Sequence, residues 1–148
     1  MKSRNILPPT YFWASVALMV VLHVLLPVVA IIPWPYRLLG ALPAGAGLWL
    51  ALWSHRLFDR SGSTIKPFEQ SSELFTAGPY RFSRHPMYVG MVLVLLGLAV
   101  GLGSVTPAAV VVAFAWVLRR FAIIEERAMA ETFGDAYIEY SRRVRRWV

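Results

Sequence analysis

The stretch "PMYVGMVLVLLGLAVGLGSVTPAAVVVAFAWVL", residues 86–118, carries no charged side chain. As one helix it would reach about 50 Å at 1.5 Å per residue, well beyond the ~30 Å hydrocarbon thickness of a bilayer. The segment Gly101-Leu-Gly-Ser-Val-Thr-Pro107 supplies a break, with glycines to end one helix and Pro107 to begin the next. The stretch therefore reads as a tight hairpin of two short spans, about 86–102 and 105–123. The second can lengthen past Arg119 and Arg120, whose aliphatic stems can lie along apolar surface.

Upstream, Phe12–Pro33 and Leu38–Ser54 are also free of charge. Apolar runs of this length, massed instead of scattered by period, read as membrane spans, here about 11–32 and 38–55. The expected fold class is all-α integral membrane: about four transmembrane helices, the last two in a tight hairpin, then a C-terminal amphipathic cytoplasmic helix. A single membrane domain over 1–148 is expected, with 1–56 holding the two N-terminal spans. Lys2 and Arg4 resemble the basic start of a signal peptide, but the apolar stretch that follows is too long, so a retained span is expected. The chain has no cysteine, which removes disulfides, thiol nucleophiles and thiolate metal sites together.

The formal charge is +7, and its distribution decides its meaning. Arg56, Arg60, Arg81, Arg84, Arg119 and Arg120 flank the apolar runs, and Arg142, Arg143, Arg145 and Arg146 close the chain. Juxtamembrane arginine is accounted for by orientation and by anionic lipid heads. No groove-reading motif accompanies it, so nucleic acid is not an expected partner. Residues 56–85 carry five basic side chains, 33–37 only Arg37 and 102–106 none. The positive-inside rule then places both termini and the 56–85 loop in the cytoplasm, with a bacterial inner membrane as the expected location. In the tail, Met129, Phe133, Tyr137, Tyr140 and Val144 fall on one helical face. Gly134-Asp135 should interrupt it, glycine ending one segment and aspartate capping the next.

Candidate chemistry gathers on that same side. Pro86 suits the first position of a helix, which puts His85 in the cap region. The free N–H groups of such a first turn attract an anion, with Arg81 and Arg84 adding positive charge. The plain alternative is capping beside positive-inside arginines. Glu125-Glu126 follow Ile123-Ile124, and carboxylates so close to hydrocarbon are costly unless paired or used. Their plain alternative is an interfacial ion pair with Arg119, Arg120 or Arg127. His23 and His55 read as packed or interfacial residues. No H-x-x-H or H-E-x-x-H spacing occurs, so no metal is expected.

Together, Gly78-Pro-Tyr80, Arg84-His-Pro-Met-Tyr88 with Gly90, Glu125-Glu126, Phe133-Gly134, Tyr137, Tyr140 and Val144 resemble the isoprenylcysteine carboxyl methyltransferase family. That family is part of a wider group of membrane methyltransferases that includes phospholipid N-methyltransferases. The likeness spans roughly residues 62–147, with the motifs in order. It implies S-adenosylmethionine as methyl donor at the cytoplasmic helix ends and makes 57–148 the cofactor-binding methyltransferase core. Carried over by position, the implied cofactor contacts are Glu73, Leu74, Phe75, Thr76, Tyr80, His85, Pro86, Met87, Tyr88 and Glu125.

The sequence departs from the family in two places. Glu73 stands where animal members have a histidine, and their substrate-contacting arginine aligns with Phe121. Arg119, Arg120 and Glu126 are left as the substrate-side candidates, and no catalytic residue is assigned. The implied partners are a lipophilic or lipidated acceptor and membrane lipids. A carboxylate or thiolate acceptor needs no strong base, whereas an amine must lose a proton, which makes Glu126 or a tyrosine a candidate base. The alternatives left open are phospholipid N-methylation, a nicotinamide-binding reductase-like module, and a non-catalytic lipid-binding or assembly protein.

Overall fold

At Gly103 the chain reverses. Helix α3 (Pro86–Leu102) ends there in left-handed backbone, φ 74°, which glycine adopts without the clash a Cβ would bring. Helix α4 (Val105–Phe133) begins after Ser104. The structure, a computed structural model, describes residues 8–26, 30–60 and 74–148. Among them every regular element is helical. Helix α1 (Pro8–Leu25) and helix α2 (Ala41–Arg60) precede the α3–α4 pair, and helix α5 (Asp135–Arg143) follows it.

Several boundaries differ from those read off the apolar runs. α1 ends at Leu25, well short of 32, in keeping with Pro27, which turns the residue before it away from helical backbone. Ile31 and Ile32 instead donate their N–H groups to the Gly103 carbonyl, at 2.9 and 3.2 Å. A 3-10 turn (Tyr36–Gly40) leads into α2, which runs on to Arg60. Its polar end is exposed, with His55 and Asp59 paired one turn apart at 3.3 Å. α4 continues to Phe133, although its apolar part stops at Ile124. Asp135 is the first helical residue of α5 and makes no side-chain cap. Gly134, at φ 54°, occupies that role, its carbonyl accepting from Tyr137 and Ile138.

Packing places α3 between α2 and α4, with α1 laid along α4. Val110, Phe114, Leu118 and Ala122 recur every fourth residue and bury one stripe of α4 against Leu95 and Ala99 of α3 and Met19 of α1. Phe12–Phe114 and Tyr11–Phe121 contacts, at 6.1 and 5.6 Å between ring centroids, join α1 to α4. The α2–α3 seam is built differently. Gly40, the last residue of the 3-10 turn, faces Gly97, and Gly47 of α2 faces Gly90; a Cβ at any of the four would strike the opposite backbone. Small residues that let backbones approach are the packing device of helices in lipid.

The outward surface is as apolar as the interior: Trp13, Leu18, Val21, Trp49, Val112 and Trp116 are all exposed, which a soluble helical bundle would not tolerate over such an area. α1 and α4 are each long and apolar enough to cross a membrane, and α3 is a shorter apolar helix. The α1–α2 connection and the α3–α4 turn meet at one end, where a 2.8 Å His23–Ser104 contact joins α1 to the turn and Arg37 Nε donates to the Ile32 carbonyl at 2.9 Å within the connection. The start of α3, the polar part of α4 and α5 gather at the other.

Candidate functional site

His85 caps α3 and Pro86 opens it. The local backbone explains the aim of the imidazole. Ser83 Oγ accepts the His85 N–H at 3.2 Å, while Tyr88 and Val89 both donate to the His85 carbonyl, at 3.0 and 3.1 Å. Pro86 has no N–H, so only the amide of Met87 is left in the first turn. The helix start therefore offers far less to an anion than its sequence suggested, and the charge is supplied by side chains instead.

The imidazole stands between two carboxylates. Its Nδ1 is 3.5 Å from Glu125 Oε2 and its Nε2 is 3.2 Å from Glu126 Oε1. Glu125 and Glu126 are neighbours on α4, just past Ile124, so the last turns of the helix reach the first turn of α3. Only the imidazolium can donate from both nitrogens. Burial opposes that charge, but hydrogen bonds and attraction from Glu125 and Glu126 outweigh it and raise the pKa above the ordinary imidazole value. Tyr88 lies one turn on, its ring stacked on His85 at 5.3 Å and 5° between planes. The Tyr88 hydroxyl donates to Glu125 Oε1 at 2.5 Å.

Glu126 is gripped from further sides. Arg146 donates to it through Nε and Nη2, both at 2.8 Å, and Arg84 Nη1 stands 3.3 Å away. A forked guanidinium–carboxylate pair of this kind is among the stronger polar contacts in proteins. Burial pushes the Glu126 carboxyl up, yet His85, Arg146 and Arg84 pull it down to about 2. Among the described residues, Arg84 Nε is buried with no hydrogen-bond partner. With His85 protonated, three cations (Arg84, His85, Arg146) stand against two carboxylates and leave one positive charge over.

The chain beyond α5 brings Arg146 here. Past Arg143 the backbone turns extended at Val144 and runs over the 83–84 loop. Arg84 N–H donates to the Arg145 carbonyl at 3.0 Å, and Ser83 Oγ to that of Arg146 at 3.2 Å. The Trp147 ring then lies 6.0 Å from His85. Beside the cluster, α3 and α4 part to form an apolar cleft of about 470 Å³, lined by Val92, Leu93, Ala115, Trp116, Arg119 and Trp147 among others.

The phospholipid methyltransferase family matches residues 36–136, from the turn before α2 into α5. The chain belongs to the phospholipid methyltransferase family. It is also 36% identical over 80 residues to protein-S-isoprenylcysteine O-methyltransferase B of Arabidopsis thaliana, covering 51% of this chain and 39% of that protein. Cobalt-zinc-cadmium resistance protein CzcN of Cupriavidus metallidurans is 40% identical over 76 residues, 50% of this chain and 34% of that one. Nickel-cobalt-cadmium resistance protein NccN of Alcaligenes xylosoxydans xylosoxydans is 35% identical over 109 residues, 72% and 45%. The chain thus spans from a third to under half of the length of these relatives. No solved structure matches it. With the apolar outer surface, membership of the phospholipid methyltransferase family makes this a membrane protein.

Within the phospholipid methyltransferase-family region, the residues singled out by motif fall into groups. His85, Tyr88, Glu125 and Glu126 are in direct contact. Tyr80 borders them, with Phe75 edge-on to it at 5.5 Å and its carbonyl accepting from Tyr140 at 2.7 Å. Leu74 is half-buried and Thr76 exposed in the same segment; Pro86 is fully buried and Met87 half-buried. Glu73 lies outside the described residues. Arg119 stands on the apolar cleft, while Arg120 is turned onto Trp116 at 5.6 Å. The ion pairs of Glu126 run to Arg84, His85 and Arg146, not to Arg119, Arg120 or Arg127 as the sequence order suggested. Arg146 and Trp147 were missed as site residues. Their one signal was a tryptophan embedded in arginines, which fits an interfacial anchor equally well.

Proposed function

We propose that this protein transfers a methyl group from S-adenosylmethionine to a lipophilic or membrane-embedded acceptor at the cytoplasmic edge of the membrane. The observation that carries the reading is the adjacency of a half-buried ionic cluster to an apolar cleft beside the same helices. The likeness to an isoprenylcysteine O-methyltransferase supports it.

The residues present fit the cofactor. Arg84, with a buried Nε lacking a partner and a surplus of positive charge around it, suits the methionyl carboxylate. Glu125, 28% exposed against 11% for Glu126, is the carboxylate able to accept from an ammonium or ribose hydroxyl. Tyr80 and Tyr88 present aromatic faces suited to adenine or a sulfonium. When bound, S-adenosylmethionine supplies a methyl group on positively charged sulfur. The chain's task is to orient the acceptor in line with it and exclude water.

Neither kind of candidate base named above is poised to take a proton. The cations around Glu126 hold its pKa down to about 2, which makes it a weak base, and burial raises the Tyr80 and Tyr140 hydroxyls above their ordinary range. An acceptor that arrives already deprotonated, a carboxylate or thiolate, suits this site better than an ammonium.

In this reading the chain crosses the membrane four times with both termini in the cytoplasm, in a bacterial inner membrane. Its partners are the lipophilic or lipidated acceptor and membrane lipids, not nucleic acid. Calorimetric titration of the purified protein with S-adenosylmethionine and separately with NADPH is the test. Heat with the first alone supports the proposal; heat with NADPH alone indicates a reductase-like module, and with neither a non-catalytic protein.

A further inference from the structure

Trp147 lines the apolar cleft with its side chain and also faces the ionic cluster. Its ring is 6.0 Å from that of His85, and together with Val148 it forms part of the wall of the cleft. Its position is fixed by the residues before it. The Val144 N–H donates to the Tyr140 carbonyl at 3.0 Å, Arg84 N–H holds Arg145, Ser83 Oγ holds Arg146, and the Arg146 fork closes on Glu126. Three consecutive residues are thus fixed before the tryptophan, so the indole is delivered to one place.

That place is a boundary. On one side stand three cations and two carboxylates. On the other is an apolar cleft within the range of about 300–1,000 Å³ typical of small-molecule sites. Val92, Leu93 and Ala115 line it, Arg119 is its charged lining residue, and Trp116, 61% exposed, leads from it to the outer surface. An aliphatic chain entering from lipid meets matching surface along the cleft, and an anionic head on that chain meets Arg119. We propose that Trp147 is the specificity-determining wall of this enzyme: it stops a single-chain anionic lipid in the α3–α4 cleft with its head beside Arg119, at the edge of the His85 cluster and outside it. The inference rests on the lipophilic acceptor of the preceding section and assigns where that acceptor lies. A broad, rigid indole does this at low entropic cost, whereas a smaller side chain at 147 leaves an opening from hydrocarbon into the ionic cluster.

The test uses the full chain in nanodiscs and a palmitic acid analogue carrying a diazirine next to its carboxyl group. After photolysis, labelled peptides are mapped by mass spectrometry. In the wild type, label is expected on residues 115–119 and 147–148. In Trp147→Ala it should spread to residues 85–88, with at least a fivefold rise in that peptide's share. Trp147→Leu keeps apolar packing but not the breadth of the wall, and should leak in the same way if the alanine variant fails to fold. Trp147→Phe should restore most of the wild-type map. Absence of label from the cleft in the wild type, or an unchanged map in the alanine and leucine variants, overturns the proposal. The readout needs neither cofactor nor turnover, so a protein that does not bind S-adenosylmethionine yet gives the expected maps fails the methyltransferase reading and keeps the wall.

Discussion

Glu126 holds the candidate site together, and Glu126→Gln removes its charge with little change in shape. The carboxylate is 11% exposed and faces Arg146 at 2.8 Å, His85 at 3.2 Å and Arg84 at 3.3 Å. Its pKa, lowered from 4.5 to about 2, corresponds to roughly 3 kcal/mol at 1.36 kcal/mol per tenfold change in proton affinity. That agrees with the ~3–5 kcal/mol lost when one partner of a buried ion pair is removed. At about 2–4 °C per kcal/mol for a chain of this size, the thermal midpoint should fall by on the order of 6–12 °C. The assay is thermal unfolding in detergent across pH. A lowered carboxyl contributes stability that is present above pH 4.5 and lost as the pH falls toward 2. The raised His85 contributes stability that is full below its ordinary value of 6.5 and lost as the pH rises through its higher folded value. Wild type should therefore be most stable between about pH 4.5 and 6.5, and Glu126→Gln should flatten the acid limb. A fall of under 2 °C at pH 6, with the acid limb intact, would refute the ionic cluster.

Further outcomes follow from other contacts. Glu125→Gln should weaken S-adenosylmethionine binding at least tenfold, as loss of a charged hydrogen-bond partner costs about 1.5–3 kcal/mol; unchanged affinity by calorimetry would leave Glu125 with only its His85 and Tyr88 contacts. His85→Asn keeps a good capping residue but loses both carboxylate contacts, so the alkaline loss of stability should vanish and the shift in unfolding temperature on adding S-adenosylmethionine should shrink; an equal shift in both proteins would place the ring outside the pocket. Gly97→Ala drives a methyl into the Gly40 carbonyl and the Ala44 amide and should cost ~1–3 kcal/mol. Gly45→Ala, with nothing within 4 Å, should be neutral or stabilising by up to about 1 kcal/mol; the same sign for both would count against the α2–α3 seam.

Local signals in the sequence were good guides to local structure. The glycine-to-proline break located the turn that α3 and α4 share, His85-Pro86 located the start of α3, and the costly pair Glu125-Glu126 is paired there with His85. What resisted reading was long-range or three-dimensional. The end of α1 at Leu25 was hidden because the charge-free run continues past Pro27. The helix-start amides looked available because nothing local showed that the His85 carbonyl would take two of them. Arg146 and Glu126 are twenty residues apart on separate elements, and no periodicity encodes a segment that leaves α5 and folds back over 83–84. The glycine seam between α2 and α3 was invisible for the same reason: Gly40, Gly47, Gly90 and Gly97 acquire meaning only once paired.

The most direct test of the central claim is to incubate the purified protein with S-adenosylmethionine labelled in its methyl group and a bacterial membrane lipid extract, then separate the products. Methyl transfer to a lipophilic acceptor should yield label in the organic phase, in an alkali-labile product if the acceptor is a carboxylate. Label remaining wholly in the cofactor, under conditions where the protein binds S-adenosylmethionine and is folded, would contradict methyl transfer to a membrane lipid.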